Sequence, residues 1–512
     1  MTTGTGDGAT SVGVVLAAFA GSRDRPAITH AGATWTYGDL LDRIHRTARA
    51  LRASGLRRGD VLAVLTGNRP ETYVLRYAAH ALGCATTILY DGLAPALLAR
   101  MLHTTGAATL VFDPGPYDGL VRAAAAEAPG VALLAYGVSD LAPDLAARAA
   151  AESAEPVEVR ARPGDLASIR LTGGSTGAPK GVPRDFRVPG YLTPPALAAW
   201  RDATQLLCTP IGHLGGTLAE VVLAAGGRVV LHERFDAGAV LAAIAAERVT
   251  FVWLPPRLLY ALLDHPDLPA TDTSSLRSIA CGGSGGSPSR MAQAVERFGP
   301  IVAQGYGTLE ANQITWLSTE EHLRPELLST VGRPVGSVTV SIRDSSGAPV
   351  GTGTTGEIWV RGPSVVVAYH RQPDRTAEAM RDGWFRTGDL GFLDSAGYLT
   401  IAGRVTDVII AAEGHVYPSA IEDVLHAHPA IGAAAVFGVA GPDGEEHVGA
   451  AVVPAPGARL DAETVVAWVR DHRGAAYAPE IVLVLDALPL TGSQKPDRTE
   501  LRRRAAERLP RR

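Results

Sequence analysis

Between Leu171 and Gly181 the sequence reads Leu-Thr-Gly-Gly-Ser-Thr-Gly-Ala-Pro-Lys-Gly. Four glycines, three hydroxyl residues and one lysine share this short segment. Backbone N–H groups, hydroxyls and a mobile ammonium together can wrap a polyphosphate, and glycine permits the close approach that this needs. Pro179 stands directly before Lys180, where the Walker pattern has glycine, so this is a different phosphate loop. A glycine-rich surface turn has a similar composition, so the rest of the chain must decide between the two.

Further segments carry chemistry-bearing residues at fixed places. Gly282-Gly-Ser-Gly-Gly286 and Gly305-Tyr-Gly-Thr-Leu-Glu310 come first, then Gly383-Trp-Phe-Arg-Thr-Gly-Asp-Leu-Gly391 and Gly403-Arg-Val-Thr-Asp407. Gly414-His-Val-Tyr-Pro418, Ile421-Glu-Asp-Val-Leu425 and Leu488-Pro-Leu-Thr-Gly-Ser-Gln-Lys495 follow.

These residues need elements to hold them. From about Gly59 to Gly336, apolar runs such as Val61-Leu-Ala-Val-Leu65, Ala108-Thr-Leu-Val-Phe112 and Thr250-Phe-Val-Trp-Leu254 alternate with alanine-rich helical stretches. That alternation predicts parallel α/β layers. From Val338 to about Val360 the texture turns to β, with alternating runs over 338–343 and 356–361 joined by turns. Past Gly403 a smaller α+β unit is expected. It has a strand over 408–410, a helix from Pro418, strands near 433–437 and 450–453, and a helix over 462–468.

Composition bounds the partners. The 512 residues carry a formal net charge of −5, which argues for neither nucleic acid nor an anionic membrane as main partner. The basic stretch Leu501–Arg512 reads as a solvated helix end. Cys84, Cys208 and Cys281 have no metal-ligand spacing and form no disulfide framework, so a reducing cytoplasm is expected. Neither a signal peptide nor a membrane span is expected, because the apolar run Val12–Ala20 is short and lacks basic flanks. Oligomeric state is not legible.

The motifs, in this order, resemble the adenylate-forming superfamily of acyl- and aryl-CoA synthetases, luciferases and peptide-synthetase adenylation domains. The resemblance covers nearly the whole chain. It implies an α/β fold: a large N-terminal domain of layered α/β subdomains plus a β-rich subdomain over 1–403, a hinge over 404–407, and a small mobile α+β domain over 408–512. It also implies the chemistry. A carboxylic acid attacks the α-phosphate of ATP to give an acyl-adenylate and pyrophosphate, and a thiol of CoA or of carrier-protein pantetheine then displaces AMP.

Roles follow residue by residue from the resemblance. Thr172, Ser175, Thr176, Gly177 and Lys180 would handle phosphates, and Glu310 would bind Mg²⁺, a hard cation suited to oxygen ligands. Tyr306 would pack on adenine within Gly305, Gly307 and Leu309, beside the backbone wall of Gly282, Gly283 and Ser284. Asp389 would accept from the ribose hydroxyls with Arg404 assisting, and Lys495 would bridge carboxylate and α-phosphate, opposing charge where it develops. Thr406 would be the hinge, and Gly414 would line the thiol tunnel. His213 and Gly215 would border the acyl pocket together with Gly282. By residue type alone His213 equally fills a loop core, and 282–286 equally forms a strand-to-helix turn. The Phe-Asp-x-Ser pattern of amino-acid-activating domains is missing near His213, which favours an acid without an α-amino group.

Several positions depart from the family pattern. Leu309 replaces a threonine that binds the α-phosphate, Thr406 a hinge Asp or Lys, and Gly173 a serine. Ala412 and Glu413 replace a glycine pair along the thiol tunnel, and Gln494 replaces a glycine before the lysine. Losing one hydrogen bond to a charged group costs about 1.5–3 kcal/mol, roughly ten- to hundredfold in rate or affinity. Two alternatives therefore stand beside the two-step ligase. One is a thioester-forming enzyme that is deficient in adenylation and takes a preformed acyl-adenylate. The other is a non-catalytic acyl-nucleotide binder, against which the retained Lys495 argues. The departures and a GC-rich composition suggest a role in secondary metabolism.

Overall fold

The computed structural model describes residues 8–172, 179–411, 414–440, 446–491 and 495–507. Its contacts divide the chain into two compact units. The first comprises Met1–Val252, Ser274–Leu276 and Val366–Thr376; the second comprises Trp253–Thr273, Arg277–Val365 and Ala377–Arg512.

In the first unit a six-stranded sheet runs Ala132–Ala135, Thr109–Phe112, Val61–Leu65, Ala85–Ile88, Leu166–Thr172, Lys180–Asp185. The first five strands are parallel, and the last returns antiparallel to its neighbour. Every residue of Val61–Leu65 is buried. A continuous apolar run rather than an alternating one is what a parallel strand covered on both faces requires. A second layer orders Ala33–Thr36, Pro26–His30, Arg228–Leu231 and Thr204–Leu207, with Phe251 and Val252 continuing it beside Thr204–Leu207.

The helix Tyr37–Ala53 opens with a reciprocal capping box between Thr36 and Asp39. It buries Leu40, Leu41, Ile44, Ala48 and Leu51 on one side, the spacing of an amphipathic helix. The buried Tyr37 hydroxyl contacts the carbonyls of Leu223 (2.9 Å) and Gly227 (2.6 Å) and ties this helix to a distant turn.

In the second unit Ser278–Gly282 lies parallel to Val302–Thr308, followed by the antiparallel strands Asn312–Leu317 and Arg333–Pro334. An antiparallel sheet places Gly356–Arg361 between Thr339–Arg343 and the ten-residue strand Trp384–Leu393. Met380–Arg381 and Leu399–Arg404 both pair with that long strand. The expected β texture of 338–360 thus extends to Arg404. The turn-like glycines of 383–391 conceal a strand because it bulges between Leu390 and Gly391.

The C-terminal part of this unit has its own core. Ile431–Ala440, Glu446–Pro454 and Ile481–Val484 form a three-stranded sheet. Ile421 and Leu425 of Pro418–His426 and Val465 and Val469 of Ala462–Arg473 share one core with Val436, Val448 and Val452 of that sheet. Leu501 and Ala505 of Arg498–Ala506 share a second with Phe437 and Leu483. The expected helix over 462–468 continues to Arg473, and the expected strand over 408–410 is Ile409–Ala411. Among the described residues no helix is long and apolar enough to cross a membrane.

Candidate active site

Of the phosphate-loop residues, Thr172 and Lys180 lie on described strands. Thr172 ends Leu166–Thr172 and pairs with Lys180 across the antiparallel register. Ser175, Thr176, Gly177 and the departure Gly173 lie outside the described residues. The strand after the loop is held by the segment 366–376 of the same unit. The Gln372 side chain accepts from the Gly181 N–H (3.0 Å) and donates to the Pro179 carbonyl (2.9 Å). The Lys180 ammonium stands 5.2 Å from the centre of the Tyr369 ring, a cation–π distance. Sequence reasoning missed both Gln372 and Tyr369, because their contacts span nearly two hundred residues of chain.

His213 immediately precedes the helix Leu214–Ala224, and its ring lies 5.6 Å from that of Tyr90. The loop before it is fixed by Asn68, which accepts from the Ile211 N–H (2.9 Å) and donates to the Thr209 carbonyl (2.8 Å). Gly215 is buried, and its carbonyl accepts from the Gln205 amide at 3.0 Å. His213 therefore faces an aromatic ring while a buried asparagine anchors its loop.

The nucleotide-side residues come together in the second unit. Gly282 and Gly305 are register partners in adjacent parallel strands. A Cβ on Gly282 would meet the Gly305 carbonyl oxygen at 2.6 Å, and one on Gly305 would meet the Trp316 ring at 3.0 Å. One on Gly307 would meet the Asn312 carbonyl. These glycines are needed for close backbone approach. Gly283, at φ +87°, lies against the Trp253 ring, and Ser284 beside it is exposed.

The turn from Thr308 to Asn312 carries Leu309 and a buried Glu310. The Thr308 hydroxyl accepts from the Ala311 N–H at 3.1 Å, and Asn312 adopts φ +57°. No group of three or more His, Cys, Asp or Glu side chains forms a metal cage among the described residues. A single buried carboxylate fits a Mg²⁺ ion that takes one protein ligand and completes its shell with phosphate oxygens and water.

Tyr306, Asp389 and Arg404 form one network. The Tyr306 hydroxyl donates to Asp389 Oδ2 at 2.7 Å, and Arg404 Nε lies 3.1 Å from Asp389 Oδ1. Asp389 and Arg404 are register partners in neighbouring strands. Thr387 accepts from the Asp389 N–H (3.0 Å) and donates to the Ile358 carbonyl (2.8 Å), which fixes the carboxylate's backbone. Burial and the adjacent Asp389 charge push the Tyr306 phenol well above its ordinary pKa, so it remains a donor.

The Lys495 N–H donates to the Thr491 hydroxyl (3.2 Å), and its carbonyl accepts from the Thr491 N–H (2.8 Å). The residue retains exposed surface, yet the protein around its ammonium and then the Arg404 charge lower its pKa, with Asp389 opposing. Its ammonium therefore lies within electrostatic range of the Asp389–Arg404 pair. Gln494 lies outside the described residues.

Thr406 is exposed within the short turn Val405–Asp407. Asp407 beside it lies 3.7 Å from Arg498 and 3.8 Å from Arg502, and Arg498 pairs with Glu422 at 2.7 Å. Gly414 begins the strand Gly414–Val416, which pairs with Ile409–Ala411; Ala412 and Glu413 lie outside the described residues.

Comparison with known proteins identifies the family. The family model for the AMP-binding enzyme matches residues 16–370, and that for the AMP-binding enzyme C-terminal domain matches 420–495. The medium/long-chain-fatty-acid–CoA ligase FadD8 of Mycobacterium tuberculosis is 35% identical over 96% of this chain and 89% of its own. A feruloyl-CoA synthase from Amycolatopsis sp. is 35% identical over 93% of this chain and 95% of its own. Among solved structures, the amide bond synthetase McbA from Marinactinospora thermotolerans superposes with a TM-score of 0.84 at 37% identity, covering 96% of this chain and 99% of that one. Family models over 16–370 and 420–495 and relatives 35% identical along nearly the full length make this chain a member of the AMP-binding enzyme family, the adenylate-forming superfamily.

Proposed function

We propose that this chain is an AMP-forming, ATP-dependent acid–CoA ligase that works through an acyl-adenylate. The observation that carries this reading is the convergence of Tyr306, Asp389, Arg404 and Lys495. A carboxylate oxygen attacks the α-phosphorus of ATP, the bond to the bridging oxygen breaks, and pyrophosphate leaves with the electron pair. Asp389 accepts from the ribose hydroxyls, and Tyr306 holds the carboxylate of Asp389 while its ring lies along the base. Lys495 places a positive charge where the five-coordinate phosphorus gains negative charge, the most productive place for it. The pantetheine sulfur of CoA then attacks the acyl carbonyl, AMP departs, and the thiol proton passes to solvent.

Mg²⁺ held by Glu310 would neutralise phosphate charge. Thr172 and Lys180 flank the loop that would hold the β- and γ-phosphates, and Gly282, Gly283 and Ser284 would wall the adenine and acyl group. The proposed lobes are 1–403 and 408–512, with Thr406 as the hinge. The exposed turn at 405–407 and the separate core past Ile409 support that division. Medium- and long-chain fatty acids and ferulic acid, for which the two CoA-ligase relatives are named, are the first substrates to test.

One observation favours a second acceptor. The likeness to an amide bond synthetase is extensive, and Ala412 and Glu413 replace the glycines expected along a thiol tunnel. In that reading an amine nitrogen attacks the same carbonyl, AMP leaves, and the nitrogen loses a proton to give an amide.

The test combines ATP, Mg²⁺ and a panel of fatty and aromatic acids with either CoA or a primary amine, and follows AMP, thioester and amide. Acid-dependent AMP release with thioester formation supports the ligase, and amide without thioester makes the amine the acceptor. Turnover of a supplied acyl-adenylate alone points to an adenylation-deficient enzyme. No turnover in any arm overturns the catalytic reading.

A further inference from the structure

Three residues after Lys495, Arg498 begins the helix Arg498–Ala506. The residues between them are tied down. Pro496 forms an isolated antiparallel bridge with Leu490, and the Asp497 N–H donates to the Pro489 carbonyl at 2.8 Å. Asp497 also caps the helix, its carboxylate accepting from the Glu500 N–H at 3.1 Å. The backbone of Lys495 is therefore placed by the start of this helix.

The Arg498 guanidinium holds that helix start. Its Nε donates to the Val436 carbonyl (2.9 Å) in the strand Ile431–Ala440, and one terminal nitrogen donates to Glu422 Oε1 (2.7 Å) in the helix Pro418–His426. The same Glu422 oxygen accepts from the Val436 N–H (2.9 Å), which closes a ring of Arg498, Glu422 and Val436. The other terminal nitrogen of Arg498 lies 3.7 Å from Asp407 Oδ2. One helical turn on, Arg502 donates to the Gly438 carbonyl (3.2 Å) and lies 3.8 Å from Asp407 Oδ1. The Asp407 and Arg498 side chains are 17% and 25% exposed, so salt screens this pair less than a surface pair.

The place of Asp407 in the chain gives the cluster its consequence. Asp407 directly follows Thr406, so a rotation at Thr406 carries Asp407 along with the C-terminal lobe. From Asp407 the route to Lys495 is one guanidinium and a short piece of tied chain. Arg498 is also close enough for its charge to act on the Lys495 ammonium. A misplacement of about 1 Å at a reacting centre can cost about a hundredfold in rate.

We propose that Arg498 is the positioning residue for Lys495: through Asp407 and Glu422 it couples the hinge end of the C-terminal lobe to the segment that carries the lysine, and so sets where the ammonium stands during adenylation. This rests on the ligase reading, with Lys495 acting at the α-phosphate and Thr406 as the hinge.

The test measures the two half-reactions separately in Arg498→Met, Arg498→Lys and Asp407→Asn. Arg498→Met is expected to lower kcat in acid-dependent pyrophosphate exchange about ten- to hundredfold, to leave the KM for ATP near the wild-type value, and to keep most of the turnover of a supplied acyl-adenylate. Arg498→Lys, which retains the charge, should restore part of the exchange. Asp407→Asn weakens the link at the hinge and leaves the ring of Arg498, Glu422 and Val436 in place, so it should give the same split at smaller size. In a Lys495→Ala background, Arg498→Met should cost nothing further, because Arg498 acts through that lysine. Thermal unfolding shows whether Arg498→Met folds; where it does not, Asp407→Asn decides by the same readouts. Equal losses in both half-reactions, a change confined to the KM for ATP, or a further loss in the Lys495→Ala background each overturn the proposal. Exchange that Arg498→Met and Asp407→Asn both leave intact sinks the positioning role and keeps the ligase. No acid-dependent exchange by the wild type with any acid of the panel sinks the ligase and the positioning role together.

Discussion

Tyr306 and Asp389 lie on strands of two different sheets, and a 2.7 Å hydrogen bond from phenol to carboxylate joins them. The other oxygen of that carboxylate faces Arg404, so Asp389 is oriented from both sides while only 6% exposed. A carboxylate held this way is preorganised to accept from a pair of vicinal hydroxyls, because its rotamer is fixed before the ligand arrives.

Tyr306→Phe keeps the ring and removes one hydrogen bond to a charged group, which costs about 1.5–3 kcal/mol. The KM for ATP in pyrophosphate exchange is expected to rise about tenfold. Asp389→Ala removes the ribose acceptor itself and should raise it further. Unchanged ATP dependence in both variants would place the nucleotide elsewhere.

Lys495→Ala should lower adenylation by about a hundredfold or more, the scale of losing one preorganised charge stabiliser. Turnover of a synthetic acyl-adenylate with the acceptor should fall far less, because the α-phosphate bond is already made. Comparing the two half-reactions in one variant checks this directly. Equal losses in both would assign Lys495 a general structural role.

Glu310→Gln should raise the Mg²⁺ concentration needed for half-maximal exchange, and EDTA should abolish exchange until Mg²⁺ is restored in excess. Titrating Mg²⁺ at fixed ATP measures the effect. A variant with wild-type Mg²⁺ dependence would remove Glu310 as the protein ligand.

Gly282→Ala should destabilise the second unit by about 1–3 kcal/mol, the usual cost of overpacking. The new Cβ would sit 2.6 Å from a backbone oxygen that cannot swing aside as a side chain can. Thermal unfolding with and without nucleotide reads both the loss of stability and any loss of binding.

His80 is 9% exposed, contacts the Thr86 hydroxyl at 3.0 Å, and packs edge-on against Phe186. Burial first, then Arg76, depress its pKa to about 3. The unfolded chain therefore binds a proton at a higher pH than the folded one. Stability from this residue is complete above its ordinary value near 6.5 and is lost as pH falls toward 3. The slope is up to one proton, or about 1.4 kcal/mol per pH unit. His80→Gln should flatten the pH dependence of denaturant stability between those limits, and an unchanged slope would show that other groups govern acid unfolding.

Sequence alone determined the fold class and the order of the motifs. Continuous apolar runs such as Val61–Leu65 mark strands covered on both faces, and the positions of Glu310, Asp389, Arg404 and Lys495 follow from local patterns of glycine and polar residues. Tertiary structure decided which of those residues meet. The Tyr306–Asp389 bond joins positions 83 residues apart, and the Gln372 clamp on Pro179 joins positions 193 apart. Hydrophobic periodicity is a property of neighbours along the chain, whereas a site's charge balance and hydrogen bonds depend on side chains that only packing brings together.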